Sequence, residues 1–252
     1  MTIRLDQVRL SLAEKLVLTG VSAAVERGKV TVILGPNGAG KTSLLRVMAG
    51  LALPESGVAT IGDQAIAAIN RTARARQIGY LPQEANPVWN LTARELVALG
   101  RLAWRTPAAQ DAHAVDDAMT ATDTLTLADR PIDAMSGGER ARVQFARVLA
   151  GQPDWILADE PLANLDPPHQ RDLLALLRAA AGQAKGVVVV LHSLNAAARV
   201  ADHVILMRDG GIVAQGNPDV TLTPANLAAT YGMDFDVLRD GSRMVIVPQQ
   251  AG

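Results

Sequence analysis

Residues Gly35, Pro36, Asn37, Gly38, Ala39, Gly40, Lys41 and Thr42 constrain this chain more than any other stretch. They spell a glycine, four residues, then glycine, lysine and a hydroxyl side chain, a phosphate-binding pattern that is meaningful only between a strand and a helix. Both flanks are present. Thr31, Val32, Ile33 and Leu34 form a short, largely apolar run that reads as a buried strand. Leu44, Leu45, Val47 and Met48 follow at the spacing of one helix face. Glycines here let backbone N–H groups wrap an anion, and the helix start adds its positive dipole end. In such a loop Lys41 reaches the β- and γ-phosphates. Thr42 ligates Mg²⁺, with the hydroxyl of Ser43 close by. The bland alternative, a glycine-rich turn merely joining strand to helix, does not require lysine and threonine in this register.

The chain has 252 residues, enough for one large domain or two small ones. It has no cysteine, which excludes a disulfide framework, a thiolate metal site and a thiol nucleophile. Net charge is −1 with both signs interspersed, so no nucleic-acid partner is expected. The first residues lack an apolar core of signal-peptide length. No apolar run approaches the twenty or so residues that span a bilayer. Any membrane association is therefore expected to go through a partner protein.

Along the chain, Arg4 to Leu10 and Val21 to Val25 read as strands of a small antiparallel sheet beside the phosphate-loop strand. A helix from Lys41 should stop at Gly50, and Val58 to Ile61 should be a further strand. Arg71, Arg74 and Arg76 read as a solvated face. Ile78 to Leu81 is a short strand stopped by Pro82, with Gln83 just beyond its end. From Leu91 to Ala150 the text turns alanine- and leucine-rich and helical, with Thr92 and Glu95 placed as a capping box and Pro107 and Pro131 as breaks. This predicts a helical insertion between two halves of an α/β core. Ser136, Gly137, Gly138 and Glu139 form a second capping box, whose exposed N–H groups equally suit an anion.

Asp154 to Glu160 is an apolar strand ending in adjacent carboxylates, Asp159 and Glu160. A metal-linked carboxylate followed by a general base is the chemistry that phosphoanhydride hydrolysis needs. Gln170 to Ala181 reads as a helix whose leucines face the core. Val187 to Leu191 reads as a strand, with His192 at the edge where α/β folds place ligands. Val204 to Met207 and Ile212 to Ala214 should form a hairpin. The tail should hold a helix from Ala225 to Tyr231 and a hairpin about Asp240-Gly241.

In order and spacing, the loop at Gly35, then Gln83, Ser136-Gly137-Gly138-Glu139, Asp159-Glu160, Asn164-Leu165-Asp166 and His192 resemble the nucleotide-binding subunits of ABC transporters, across nearly the whole chain. The resemblance implies an α/β fold: a P-loop NTPase core of ABC type, an N-terminal antiparallel β-subdomain and an inserted α-helical subdomain. It implies one domain over 1–252, with 1–83 and 151–217 as nucleotide core, 84–150 as helical subdomain and 218–252 as C-terminal extension. It implies ATP and Mg²⁺ as cofactors, with Thr42, Gln83 and Asp159 around the metal. Glu160 would be general base, Gln83 a sensor of metal and attacking water, and His192 would position the γ-phosphate. In that family two subunits clamp two ATP molecules. Ser136, Gly137, Gly138, Glu139 and Asp166 would therefore meet the nucleotide of the partner subunit in a homodimer.

Two positions depart from the family's common pattern. Glu139 stands where glutamine is more usual, which brings a carboxylate near the nucleotide unless it caps its own helix. Leu12 aligns roughly where many members stack an aromatic ring on adenine, so weaker or less base-selective ATP binding is expected. Glu95-Leu96-Val97-Ala98-Leu99-Gly100-Arg101, Asp166-Pro167-Pro168-His169-Gln170 and Leu227 to Met233 further resemble the ATPases of iron–siderophore, haem and vitamin B12 importers. That implies integral-membrane permease subunits as partners, a substrate-binding protein acting indirectly, and a peripheral place on the cytoplasmic face of the inner membrane. The permease is expected near Gln83 to Leu91. The alternatives are a soluble ABC ATPase acting as an assembly factor or scaffold, with the same nucleotide chemistry, and the ATPase of an ABC transporter with another substrate.

Overall fold

The computed structural model describes residues 1–83, 91–241 and 243–249. Strands β1 (Thr2–Leu12) and β2 (Lys15–Glu26) form an antiparallel hairpin longer than the sequence suggests. Its turn is Ala13–Glu14, with φ of 46° and 67°. Such a two-residue hairpin turn ordinarily recruits Asn or Gly, so its residues carry no turn signal. Gln7 at φ 47° and register shifts along β1 and β2 also break the alternation that would mark full-length strands.

β3 (Val30–Leu34) leads into α1 (Lys41–Met48). β4 (Ser56–Ile61) and β5 (Gln64–Ala65) complete a sheet of order β2-β1-β4-β5. Then come α2 (Arg71–Gln77) and β6 (Ile78–Leu81). The three arginines of α2 are not all solvated, as the sequence had suggested. Arg71 is exposed, but Arg74 lies over Gly50, and Arg76 donates to the Ala103 carbonyl at 2.8 Å. The Trp104 ring carries Arg76 and Arg101 at 4.9 and 4.7 Å from its centroid, a cation–π arrangement no local pattern encodes.

α3 (Ala93–Ala98), α4 (Ala108–Ala121) and α5 (Gly137–Ala150) fill the helical stretch. They share a core of their own that includes Leu96, Val97, Met119, Ile132 and Val143. Thr92 caps α3 as expected, its backbone N–H donating to Glu95 Oε2 at 2.8 Å and its hydroxyl accepting from Glu95 N at 3.3 Å. Thr92→Ala should cost about 1 kcal/mol of stability, the usual worth of an N-cap. It would be read as a lower urea midpoint at unchanged slope.

The chain returns through β7 (Trp155–Asp159), α6 (Pro167–Gly182), β8 (Gly186–Val190), α7 (Leu194–Val200), β9 (His203–Arg208) and β10 (Gly211–Gly216). α6 starts three residues before the expected Gln170, because Pro167 and Pro168 occupy its first turn, where proline suits a helix. The tail adds α8 (Pro218–Thr221), α9 (Pro224–Tyr231) and the hairpin β11 (Phe235–Asp240) with β12 (Arg243–Pro248).

The second sheet has the order β10-β9-β3-β8-β7-β6, parallel except for β10 at its edge. β3, β7 and β8 are buried along their whole length. That explains their unbroken apolar text in place of alternation. One face packs on the antiparallel sheet and α1, the other on α6, α7 and the tail. Among the described residues no helix is long and apolar enough to cross a membrane.

Candidate functional site

β3, β6, β7 and β8 run parallel and finish at one edge, with Leu81 beside Ala158, and Asp159 and Ile33 both beside Val190. Past those ends lie Gly35, Gln83, Glu160 and His192. Sites of open α/β sheets form at this edge. The register thus gathers residues that the sequence spreads over more than 150 positions.

The phosphate loop is shaped by what surrounds it. A Cβ on Gly35 (φ 154°) would lie 2.2 Å from the Met207 carbonyl oxygen of β9. One on Gly40 (φ 95°) would lie 2.6 Å from the Val17 carbonyl oxygen of β2. Only glycine fits either place. Lys41 Nζ donates to the Gly35 and Pro36 carbonyls, both at 2.9 Å, so the ammonium is held inside the loop. Burial pushes its pKa down, while Glu160 and Asp159 oppose that shift.

The loop opens on a cleft of about 440 Å³ lined by Asn37, Gly38, Ala39, Gly40, Lys41, Thr42 and Ser43, with Glu160 across from them. Lys15, Leu16, Val17, Asp209 and Gly210 complete it, none of which the sequence reading selected. Leu12, the exposed last residue of β1, lies just outside this lining. The Ala13–Glu14 turn carries the wall over to β2, so Leu16 and Val17 supply the apolar surface. Among the described residues no aromatic side chain lines the cleft.

Asp159 is 2% exposed and both its oxygens are engaged. Thr42 Oγ1 donates to Oδ1 at 3.0 Å, and the Tyr80 hydroxyl donates to Oδ2 at 3.2 Å. Burial and the neighbouring Glu160 push the Asp159 carboxyl up, against the hydrogen bonds from Thr42 and Tyr80. Thr42 and Asp159 offer hard oxygen donors, which suit Mg²⁺. Among the described residues no group of three or more His, Asp or Glu could cage an ion. The remaining ligands would then be phosphate oxygens and water, the usual arrangement for Mg²⁺.

Glu160 directly follows β7, at φ 48°. Extended backbone would point it away from Asp159's side, and the left-handed turn lets it line the phosphate cleft instead. Its Oε2 accepts from Gln83 Nε2 at 2.9 Å and lies 2.7 Å from His192 Nε2. The three residues expected to act together are therefore in direct contact.

Ser136, Gly137, Gly138, Glu139 and Asp166 are not brought to this cleft. Gly137 lines a separate cleft of about 300 Å³ with Gln83, Glu160 and Asn164. Asp166 is exposed at the start of α6. Ser136 Oγ accepts from Glu139 N at 3.2 Å, and Ser136 N donates to Glu139 Oε2 at 2.8 Å. Glu139 Oε1 meets Arg130 at 3.0 Å. The unusual carboxylate thus caps its own helix. The backbone and hydroxyl of Ser136 hold its pKa below the ordinary carboxylate range. Most of the expected docking stretch, residues 84–90, lies outside the described residues.

The family model described as ABC transporter matches residues 18–163. The hemin import ATP-binding protein HmuV of Rhodococcus jostii (strain RHA1) is 39% identical over 239 residues, 94% of this chain and 82% of that one. Its namesake from Bordetella parapertussis is also 39% identical, over 94% of this chain and 95% of that one. Among solved structures, a dimeric post-hydrolysis state of an ATP-binding cassette bound to ADP and Pi superposes with a TM-score of 0.77 at 27% identity, covering 86% of this chain and 98% of that one.

Proposed function

The chain belongs to the ABC transporter family, and from that premise we propose that it is the ATP-hydrolysing subunit of a haem importer. Its 39% identity to hemin import ATP-binding proteins over 94% of its length carries this reading. ATP would enter the cleft with its phosphates in the loop from Gly35 to Ser43. Lys41 would exchange its carbonyl contacts for phosphate oxygens, and Leu16 and Val17 would face the base in place of a ring. Thr42 and Asp159 would hold Mg²⁺, with Gln83 beside it, and the metal would neutralise charge developing on the phosphates. Glu160 would take the proton of the attacking water. His192 and Gln83 would orient that carboxylate, and His192 would also reach the γ-phosphate.

Ser136, Gly137, Gly138 and Asp166 would meet the nucleotide of a second copy. Their absence from the cleft of their own chain supports this, as does the dimeric state of the similar cassette. Residues 1–83 and 151–217 would act as the nucleotide core, 84–150 as the helical unit and 218–252 as an extension. The permease would dock beside α2, where Leu51, Leu53, Leu99 and Leu102 are exposed at 59, 66, 39 and 79%. Arg74 over Gly50 and Arg76 on Ala103 bring those two segments to either side of α2. The chain would thus sit peripherally on the cytoplasmic face of the inner membrane.

The test uses the absence of cysteine. Leu102→Cys, carrying a photo-crosslinker in native membranes, should capture a membrane protein of many spans. With that permease in proteoliposomes, a haem-loaded binding protein should stimulate ATP hydrolysis, and a ferric siderophore or cobalamin should not. Capture of soluble proteins alone would favour the assembly-factor alternative. Stimulation by another chelate would replace haem.

A further inference from the structure

Asp159 is nearly sealed from solvent, and each of its oxygens is met by a hydroxyl from a different element. Thr42 of α1 takes Oδ1 at 3.0 Å and Tyr80 of β6 takes Oδ2 at 3.2 Å. The Tyr80 bond is not incidental to ring packing. Tyr80 pairs with Leu157 in the parallel register, two residues before Asp159. Its side chain must therefore lean along the strand toward the site edge to place the hydroxyl there. The half-buried ring packs against the core cluster that contains Leu157, which limits the positions the hydroxyl can take. A carboxylate held at one oxygen alone can rotate about its terminal bond, a broad and soft torsion. Held at both, it presents a fixed edge.

We propose that Tyr80 is a positioning residue of the metal subsite, holding Asp159 Oδ2 so that Oδ1 stays turned toward Thr42. This rests on the reading that Thr42 and Asp159 hold the divalent ion. Hydrogen-bond partners of a metal-holding carboxylate set its orientation, and their loss commonly costs 10- to 100-fold in metal affinity. Tyr80 also stands three residues before Gln83, and its carbonyl accepts from Arg147 of α5 at 3.3 Å. The same residue thereby ties the metal carboxylate to the helix that begins at Gly137.

The experiment titrates Mn²⁺, followed by its paramagnetic resonance, into the full chain with a non-hydrolysable ATP analogue. Tyr80→Phe keeps the ring and removes the hydroxyl. It should weaken Mn²⁺ by roughly tenfold, while affinity for the analogue in chelator stays that of the unaltered chain. Tyr80→Leu removes the ring as well and should weaken Mn²⁺ by a similar factor. Mn²⁺ affinity within about twofold of the unaltered chain for Tyr80→Phe, far below the expected loss, would overturn the proposal. So would a loss confined to Tyr80→Leu, since packing alone would then be the role. Thr42→Ala serves as reference. If it too left Mn²⁺ affinity unchanged, the metal reading itself would fail. If it alone weakened Mn²⁺, only the role of Tyr80 would be lost.

Discussion

Glu160→Gln is expected to lower ATP turnover by roughly 10²–10⁴-fold, the usual worth of a general base, and to leave Mg-ATP bound. The substitution is nearly isosteric, so the contacts from Gln83 and His192 can persist in altered form, but a carboxamide cannot take the proton of a water. Geometry makes this the site of the largest effect. Among the described residues, Glu160 is the one carboxylate that both lines the phosphate cleft and touches Gln83 and His192. Its φ of 48° is costly for a residue with a side chain, of order 1–3 kcal/mol. The fold tolerates that strain where extended backbone would turn the carboxylate away. Single-turnover phosphate release measures the chemistry, and binding of a fluorescent ATP analogue measures the rest. Near-normal turnover in Glu160→Gln would remove Glu160 from the role.

How far the sequence discloses this site follows from what each residue must do. Gly35, Gly40, Lys41 and Thr42 are legible because an anion-wrapping loop fixes their spacing along the chain. Asp159-Glu160 and His192 are legible because they close apolar runs that can only be buried strands. Lys15, Leu16 and Val17 are not, because they join the cleft across a turn whose Ala13 and Glu14 look like ordinary strand residues. Tyr80 is hidden for a different reason. A tyrosine in a short strand is ordinary core text, and its bond to Asp159 exists only because β6 lies beside β7. Arg76 looks solvated until Trp104, 28 positions away in the sequence, is folded under it. Glu139 is the converse case. The sequence offered a capping role and a nucleotide-facing role, and the bonds to Ser136 and Arg130 select the cap.

Gly138→Ala should separate nucleotide binding from assembly. A Cβ at Gly138 would lie 2.4, 2.5 and 2.6 Å from Cγ, Nδ1 and Cδ2 of His169. That ring is the third residue of α6, directly after Asp166 and the two prolines. Space can be made only by turning the imidazole or by shifting α5 against α6. Either movement disturbs two segments proposed to meet the partner's nucleotide, the turn at Ser136 and the loop ending at Asp166. Gly138 is absent from the phosphate cleft, so ATP affinity of the isolated chain should not change. Overpacking of about 1–3 kcal/mol should instead appear as a 5- to 150-fold weaker ATP-driven dimer. It would be measured by sedimentation in the Glu160→Gln background, with a matching fall in turnover when Glu160 is restored. Alanine is also the better helix former by roughly 0.5–1 kcal/mol, which partly offsets the overpacking. A melting temperature held near its original value while dimerisation falls would set this apart from general damage. Adding His169→Ala removes the obstructing ring and should recover dimerisation. If Gly138→Ala dimerised and turned over normally, the close contact with His169 would have no bearing on assembly. If the double substitution failed to recover, the freedom of the glycine backbone, and not the space taken by the ring, would be what assembly requires.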